Sequence, residues 1–236
     1  MSPPASTQSA RGVSFDALDA VSPFASTIGR KMVMAVSGLV LFGFVVGHML
    51  GNLQVYLGPE ALDAYGLFLR HFLHGTGIWI ARAVLLLAVV LHIAAAWSLS
   101  RDSWKARPVG YFRTQHRDST YASRTMRWSG PILALFVVYH LLHLTLGTAH
   151  PSFEEGHVYH NVVAGFSVRP VSAFYIAAML ALGLHMYHGV WSMTQTLGLS
   201  HPRFNALRRA LATGVTGAVV LGNISIPLAV LAGIVR

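Results

Sequence analysis

The stretch that most limits what this chain can fold into runs from Pro170 to His201 and contains no Lys, Arg, Asp or Glu. A helix needs about 20 predominantly apolar residues to cross a bilayer, and this run exceeds that. Near its middle lies Leu184-His185-Met186-Tyr187-His188-Gly189-Val190-Trp191. An ionisable ring at mid-depth is costly in hydrocarbon, so it implies a function and a partner.

The rest of the chain has the same character. It is 54% hydrophobic and 11% charged, where a soluble domain carries about 25% charged residues. The apolar residues fall in five blocks, spans I to V, at about 32–57, 78–99, 128–148, 171–199 and 211–235. This pattern predicts an all-α membrane protein with five transmembrane helices forming one domain over 29–236. Residues 1–28 read as a polar tail rich in Ser, Ala and Pro, disordered or a short surface helix, with no apolar core of a cleavable signal.

The net charge of +9 lies in the links between apolar blocks. There it reports topology and contact with anionic lipid, not a nucleic-acid surface. Lys and Arg number 3 in the N-terminal tail, 7 in the II–III link and 3 in the IV–V link, against 4 elsewhere. The positive-inside rule then predicts a cytoplasmic N-terminus and an outer C-terminus.

There is no cysteine, which excludes disulfides, covalent c-type haem, thiolate-ligated haem and cysteine-ligated iron–sulfur clusters within the chain. Thirteen histidines remain as metal ligands. Spans I to IV each hold one deep in the apolar region, and span V holds none. At about 1.5 Å per residue from the predicted outer helix ends, His48 and His140 lie roughly 15–16 Å down, and His92 and His185 roughly 22 Å.

Two depth-matched pairs result, His48 with His140 and His92 with His185. A lone buried histidine is more often a ring bonded to a neighbouring helix. Four, distributed one per helix, suit a different purpose: two neutral imidazoles facing each other are what a six-coordinate haem iron requires. His143 and His188, one turn beyond His140 and His185, are rival ligands or supporting groups. Gly43, Gly47 and Gly51 form a smooth stripe beside His48, read either as close helix packing or as a flat wall for a cofactor ring.

The ordered set of residues resembles the five-helix, di-haem cytochrome b membrane anchor (b558-type) of succinate dehydrogenases and fumarate reductases. It comprises Ser37-Gly38 and Gly47-His48-Met49 in span I, His92 in span II, and Trp128-Ser129-Gly130 with Tyr139-His140 in span III. His185, Gly189-Val190-Trp191 and Leu197-Gly198 complete it in span IV. The resemblance implies that His48 and His140 hold an outer haem b and His92 and His185 an inner one. It also implies flavoprotein and iron–sulfur subunits on the cytoplasmic face, carrying the FAD and the clusters. The chain would then pass electrons to or from a membrane quinone, with menaquinone expected, in a bacterial cytoplasmic membrane. The dicarboxylate chemistry of the tricarboxylic acid cycle would belong to the partners.

Two departures from that family matter. A glutamate that some fumarate reductases carry two residues before the span IV ligand is Gly183 here, and a glutamate near the outer end of span II has no clear counterpart. Asp63, Tyr65, Arg70, His71 and His74 are the nearby candidates for a quinone site. Arg30, Lys31, Ser37, Arg127 and Arg169 are candidates for haem propionate contacts. The alternatives are a di-haem cytochrome b of a hydrogenase or formate dehydrogenase, and a histidine-lined transporter, which usually shows repeats or broken helices.

Overall fold

The structure is a computed structural model that describes residues 23–106 and 121–236. Most of the predicted polar tail, and Arg107, Arg113 and Arg117 of the basic link, lie outside the described residues. Seven α-helices are described: α1 Thr27–Asn52, α2 Pro59–His71, α3 Thr76–Lys105, α4 Tyr121–His140, α5 Val158–Ser167, α6 Arg169–Thr196 and α7 Asn205–Leu231. Five of them, α1, α3, α4, α6 and α7, belong to segments long and apolar enough to cross a membrane.

Each long helix starts and stops for a local reason. Ser26 caps α1, its Oγ accepting the Gly29 N–H at 2.9 Å, which satisfies one of the orphan donors of the first turn. α1 tightens into a 3₁₀ turn at Leu53–Leu57. Pro170 stands in the first turn of α6, where its missing N–H costs nothing. α4 is already helical at Tyr121, the first residue described after the basic link, so span III starts earlier than 128, and it ends in a π-helical turn, Leu141–Thr145. In that turn the Leu146 N–H donates to the Leu141 carbonyl at 2.8 Å.

Two of the links between spans contain helices of their own. In α2, Pro59 occupies the first turn with Glu60, and Arg70 and His71 the last, the charge order that suits the helix dipole. α5 has no side-chain cap of its own. Instead Asp63 of α2 accepts the Tyr159 N–H at 2.8 Å, a cap supplied from another helix. α2 and α5 thus brace one another at the end of the bundle opposite the basic link, called here the far end.

The long helices pack in the order α3, α1, α6, α4, with α7 behind α1 and α6. α6 and α7 approach closely at Gly183, where a Cβ would stand 2.7 Å from Val220 Cγ2. At the basic end the same two helices are joined by Arg208, which is 7% exposed. Its guanidinium donates to Thr194 Oγ1, Asn205 Oδ1 and the Trp191 carbonyl, and lies 4.3 Å from the Trp191 ring centroid. α1 and α3 are joined by Arg30, whose Nη1 reaches Asp102 Oδ2 and Ser98 Oγ, each at 2.7 Å.

One seam runs through this arrangement. α1 does not pack extensively against α4, nor α3 against α4 or α6.

Candidate functional site: two histidine pairs across a helix seam

The four deep histidines lie on the helices that border the seam. His48 of α1 and His140 of α4 have ring centroids 5.8 Å apart with planes at 90°. His92 of α3 and His185 of α6 are 6.2 Å apart at 61°. Each pair therefore joins two helices whose backbones do not pack on each other. The rings meet in the same two pairs as the depth count matches.

Three of the four rings have a hydrogen-bond partner at Nδ1. The Ser37 hydroxyl donates to the Val33 carbonyl at 2.6 Å, so its oxygen can accept from His92 Nδ1 at 3.3 Å. The Met34 carbonyl is a second acceptor for the same Nδ1, at 3.2 Å. The Ser129 hydroxyl donates to the Met126 carbonyl at 3.4 Å and accepts from His185 Nδ1 at 3.2 Å. His140 Nδ1 lies 3.4 Å from the Tyr175 hydroxyl. His48 is steadied differently, stacked at 5.2 Å and 18° on Phe44 one turn earlier.

Where Nδ1–H is the donor, as the serine contacts favour for His92 and His185, Nε2 carries a lone pair, the form of imidazole that binds metal. Two nitrogens at about 2 Å from a metal, together with their half-rings, fill separations of this size. Among the described residues, no three His, Asp or Glu converge as ligands for a bare ion. The donors come in twos, as a ring-bound iron with two open axial positions takes them.

The walls fit a flat group as well. A Cβ at Gly43, Gly47, Gly130 or Gly189 would meet no heavy atom within 4 Å. These glycines lie on α1, α4 and α6, three of the four helices bordering the seam. His48 is exposed on the protein's own surface, which at bilayer depth is costly unless something covers it. Gly51, by contrast, is buried beneath the Tyr65 ring, so the stripe splits into an open part and a packed part.

The rival histidines take other places. His143 is fully buried, its Nδ1 3.0 Å from the Tyr175 hydroxyl and its ring stacked on Tyr139 and His150. It sits against Gly165 of α5, away from His48. His188 is half-buried one turn from His185.

The remaining candidates separate into engaged and exposed groups. Ser37 backs His92, and Arg30 holds α1 to α3. Lys31, Arg127 and Arg169 are exposed near helix starts, with Arg127 over the Trp104 ring at 5.8 Å. Asp63 caps α5 and Tyr65 covers Gly51. Arg70, His71 and His74 are exposed. His71 and His74, with Phe68, Phe72 and Leu73, line a shallow cavity of about 410 Å³ at the end of α2.

Residues 105–232, more than half of the chain, match the family described as succinate dehydrogenase/fumarate reductase transmembrane subunit. The chain belongs to this family. It is therefore a multi-pass membrane subunit of a succinate dehydrogenase/fumarate reductase complex. The matched segment carries His140 and His185, one ring of each pair, whereas His48 and His92 lie on the helices before it. No curated protein and no solved structure matches the chain.

Sequence reasoning assigned no site role to three side chains: Ser129 behind His185, Tyr175 between His140 and His143, and Arg208. A signal for the first was present. Ser37-Gly38 and Ser129-Gly130 are the same dipeptide, and each serine backs the histidine of a different helix. For Tyr175 and Arg208 no local pattern distinguishes them from ordinary helix residues.

Proposed function

We propose that this chain is the electron-carrying cytochrome b anchor of its complex, holding two b haems. His48 and His140 would hold the outer haem, and His92 and His185 the inner one. The observation that carries this reading is the pair of ring separations, 5.8 and 6.2 Å, across helices that do not otherwise pack. Each haem b, when bound, would supply a one-electron iron couple.

The chain's own residues orient and insulate. Ser37, Met34 and Ser129 hold the Nδ1–H groups of the inner pair, which fixes both tautomer and ring direction. The apolar flanks of α1, α3, α4 and α6 exclude water from the seam. Electrons would enter from an iron–sulfur subunit, with a flavoprotein beyond it, docked at the basic end, and leave to a quinone such as menaquinone, or travel the reverse way. Reaction at succinate would belong to those partners. Positive charge at Arg101, Lys105, Arg124 and Arg127 supports a bacterial cytoplasmic membrane orientation with this end inside.

For the quinone, His71 and His74 are the best placed of the five candidates, because they share a cavity with apolar neighbours. His71 Nδ1 donates to the Leu67 carbonyl at 3.0 Å, leaving the Nε2 lone pair to accept from a quinol hydroxyl. Asp63 and Tyr65 are already occupied in packing α2.

A reduced-minus-oxidised spectrum with a pyridine haemochrome count tests the central claim. Two b haems per chain, falling to about one in His48→Ala or His92→Ala, are expected. A chain purified without haem refutes it.

A further inference from the structure

We propose that Tyr175 is a positioning residue for His140, forming with His143 a hydrogen-bond relay that tunes the outer haem separately from the inner one. The inference rests on the two-haem reading. The Tyr175 hydroxyl lies 3.4 Å from His140 Nδ1 and 3.0 Å from His143 Nδ1. A phenol has one proton to give, so of two imidazole nitrogens at its oxygen, one donates and the other accepts.

The direction follows from ligation. If His140 presents Nε2 to iron, its proton is on Nδ1 and is donated to the tyrosine oxygen. Tyr175 must then donate to His143 Nδ1, which places the proton of His143 on Nε2. That nitrogen is buried and has no hydrogen-bond partner among the described residues. The relay thus leaves this N–H unpaired, a cost that accepting from Tyr175 must offset. A tyrosine oxygen whose own proton is given away is a stronger acceptor, because hydrogen bonds in a chain polarise one another.

The hydroxyl is held rigidly. Tyr175 is 5% exposed, with Phe166 at 4.8 Å and Phe136 at 5.1 Å packed edge-on against its ring. His143 is fixed from the other side by Tyr139, His150 and the approach of Gly165. The His185 ring has instead a serine whose proton goes to a backbone carbonyl. The two haems therefore receive different support, and a partner that draws on Nδ1–H raises ligand basicity, which favours the oxidised iron.

A redox titration of the purified complex, followed in the visible band and by low-spin EPR, tests this. The outer component is identified as the one lost in His48→Ala. In Tyr175→Phe the outer midpoint is expected to rise and its EPR g-values to move, with the inner component unchanged. His143→Leu should shift the outer midpoint in the same direction by a smaller amount. Two retained haems with an unmoved outer midpoint in Tyr175→Phe, or a shift confined to the inner haem, would overturn the relay. Should Tyr175→Phe fail to hold its outer haem, His143→Leu decides by the same criterion. Fewer than two haems in the unmodified protein would remove the underlying reading before any variant is measured.

Discussion

Individual side chains differ in how replaceable they are, and the two serines behind the inner pair show it. His92 Nδ1 has both Ser37 and the Met34 carbonyl, whereas His185 Nδ1 has Ser129 alone among the hydrogen bonds described. Loss of such a supporting partner typically costs about 10–100-fold in metal affinity. Ser129→Ala should therefore release the inner haem during detergent purification far more readily than Ser37→Ala. Haem per chain after successive washes measures this, and equal retention in both variants would contradict the assignment. Arg30 and Ser37 carry a related lesson. Both stood among propionate candidates on sequence position, and each has a partner within the bundle that sequence distance conceals: Asp102 and Ser98 for one, His92 for the other.

At the scale of elements, the contact between α6 and α7 decides what span IV can carry. Gly183 is buried, and a Cβ there would stand 2.7 Å from Val220 Cγ2 and 3.9 Å from Thr216 Cγ2. Any side chain at this position, a glutamate included, would require Val220 to move. Overpacking of this sort typically costs about 1–3 kcal/mol. Gly183→Leu should lower the thermal midpoint of the detergent-solubilised protein. Gly183→Glu should lower it further, because it adds a buried charge without a partner. An unchanged midpoint for Gly183→Leu would show that α6 and α7 are not held at this distance. The short helices α2 and α5 make the complementary point, since their stability depends on a cap, Asp63 to Tyr159, that joins residues distant in the chain.

For the whole molecule, five segments long and apolar enough to cross a membrane would put the two termini on opposite sides, and the Lys and Arg distribution predicts a cytoplasmic N-terminus. Reporter fusions check this: a cytoplasm-active reporter should report from residue 1 and an exported-phosphatase reporter from residue 236. The same side for both would contradict the five-span topology. The positions of the spans, their histidine content and the depth of each ring are properties of one helix at a time. They follow from the cost of placing charge and imidazole in hydrocarbon, so the linear order of residues was enough to predict five spans and a histidine on each of the first four.

Tertiary structure decided what depends on how helices rotate and lean against one another. It turned His140 rather than His143 toward His48, set Tyr175 between those two rings, and gave Ser37 and Ser129 to histidines on other helices. It also folded parts of the two links at the far end into α2 and α5. The physical reason is that helix rotation and approach are set by packing between helices, as at Gly183 with Val220, and no periodicity within a single span encodes that contact.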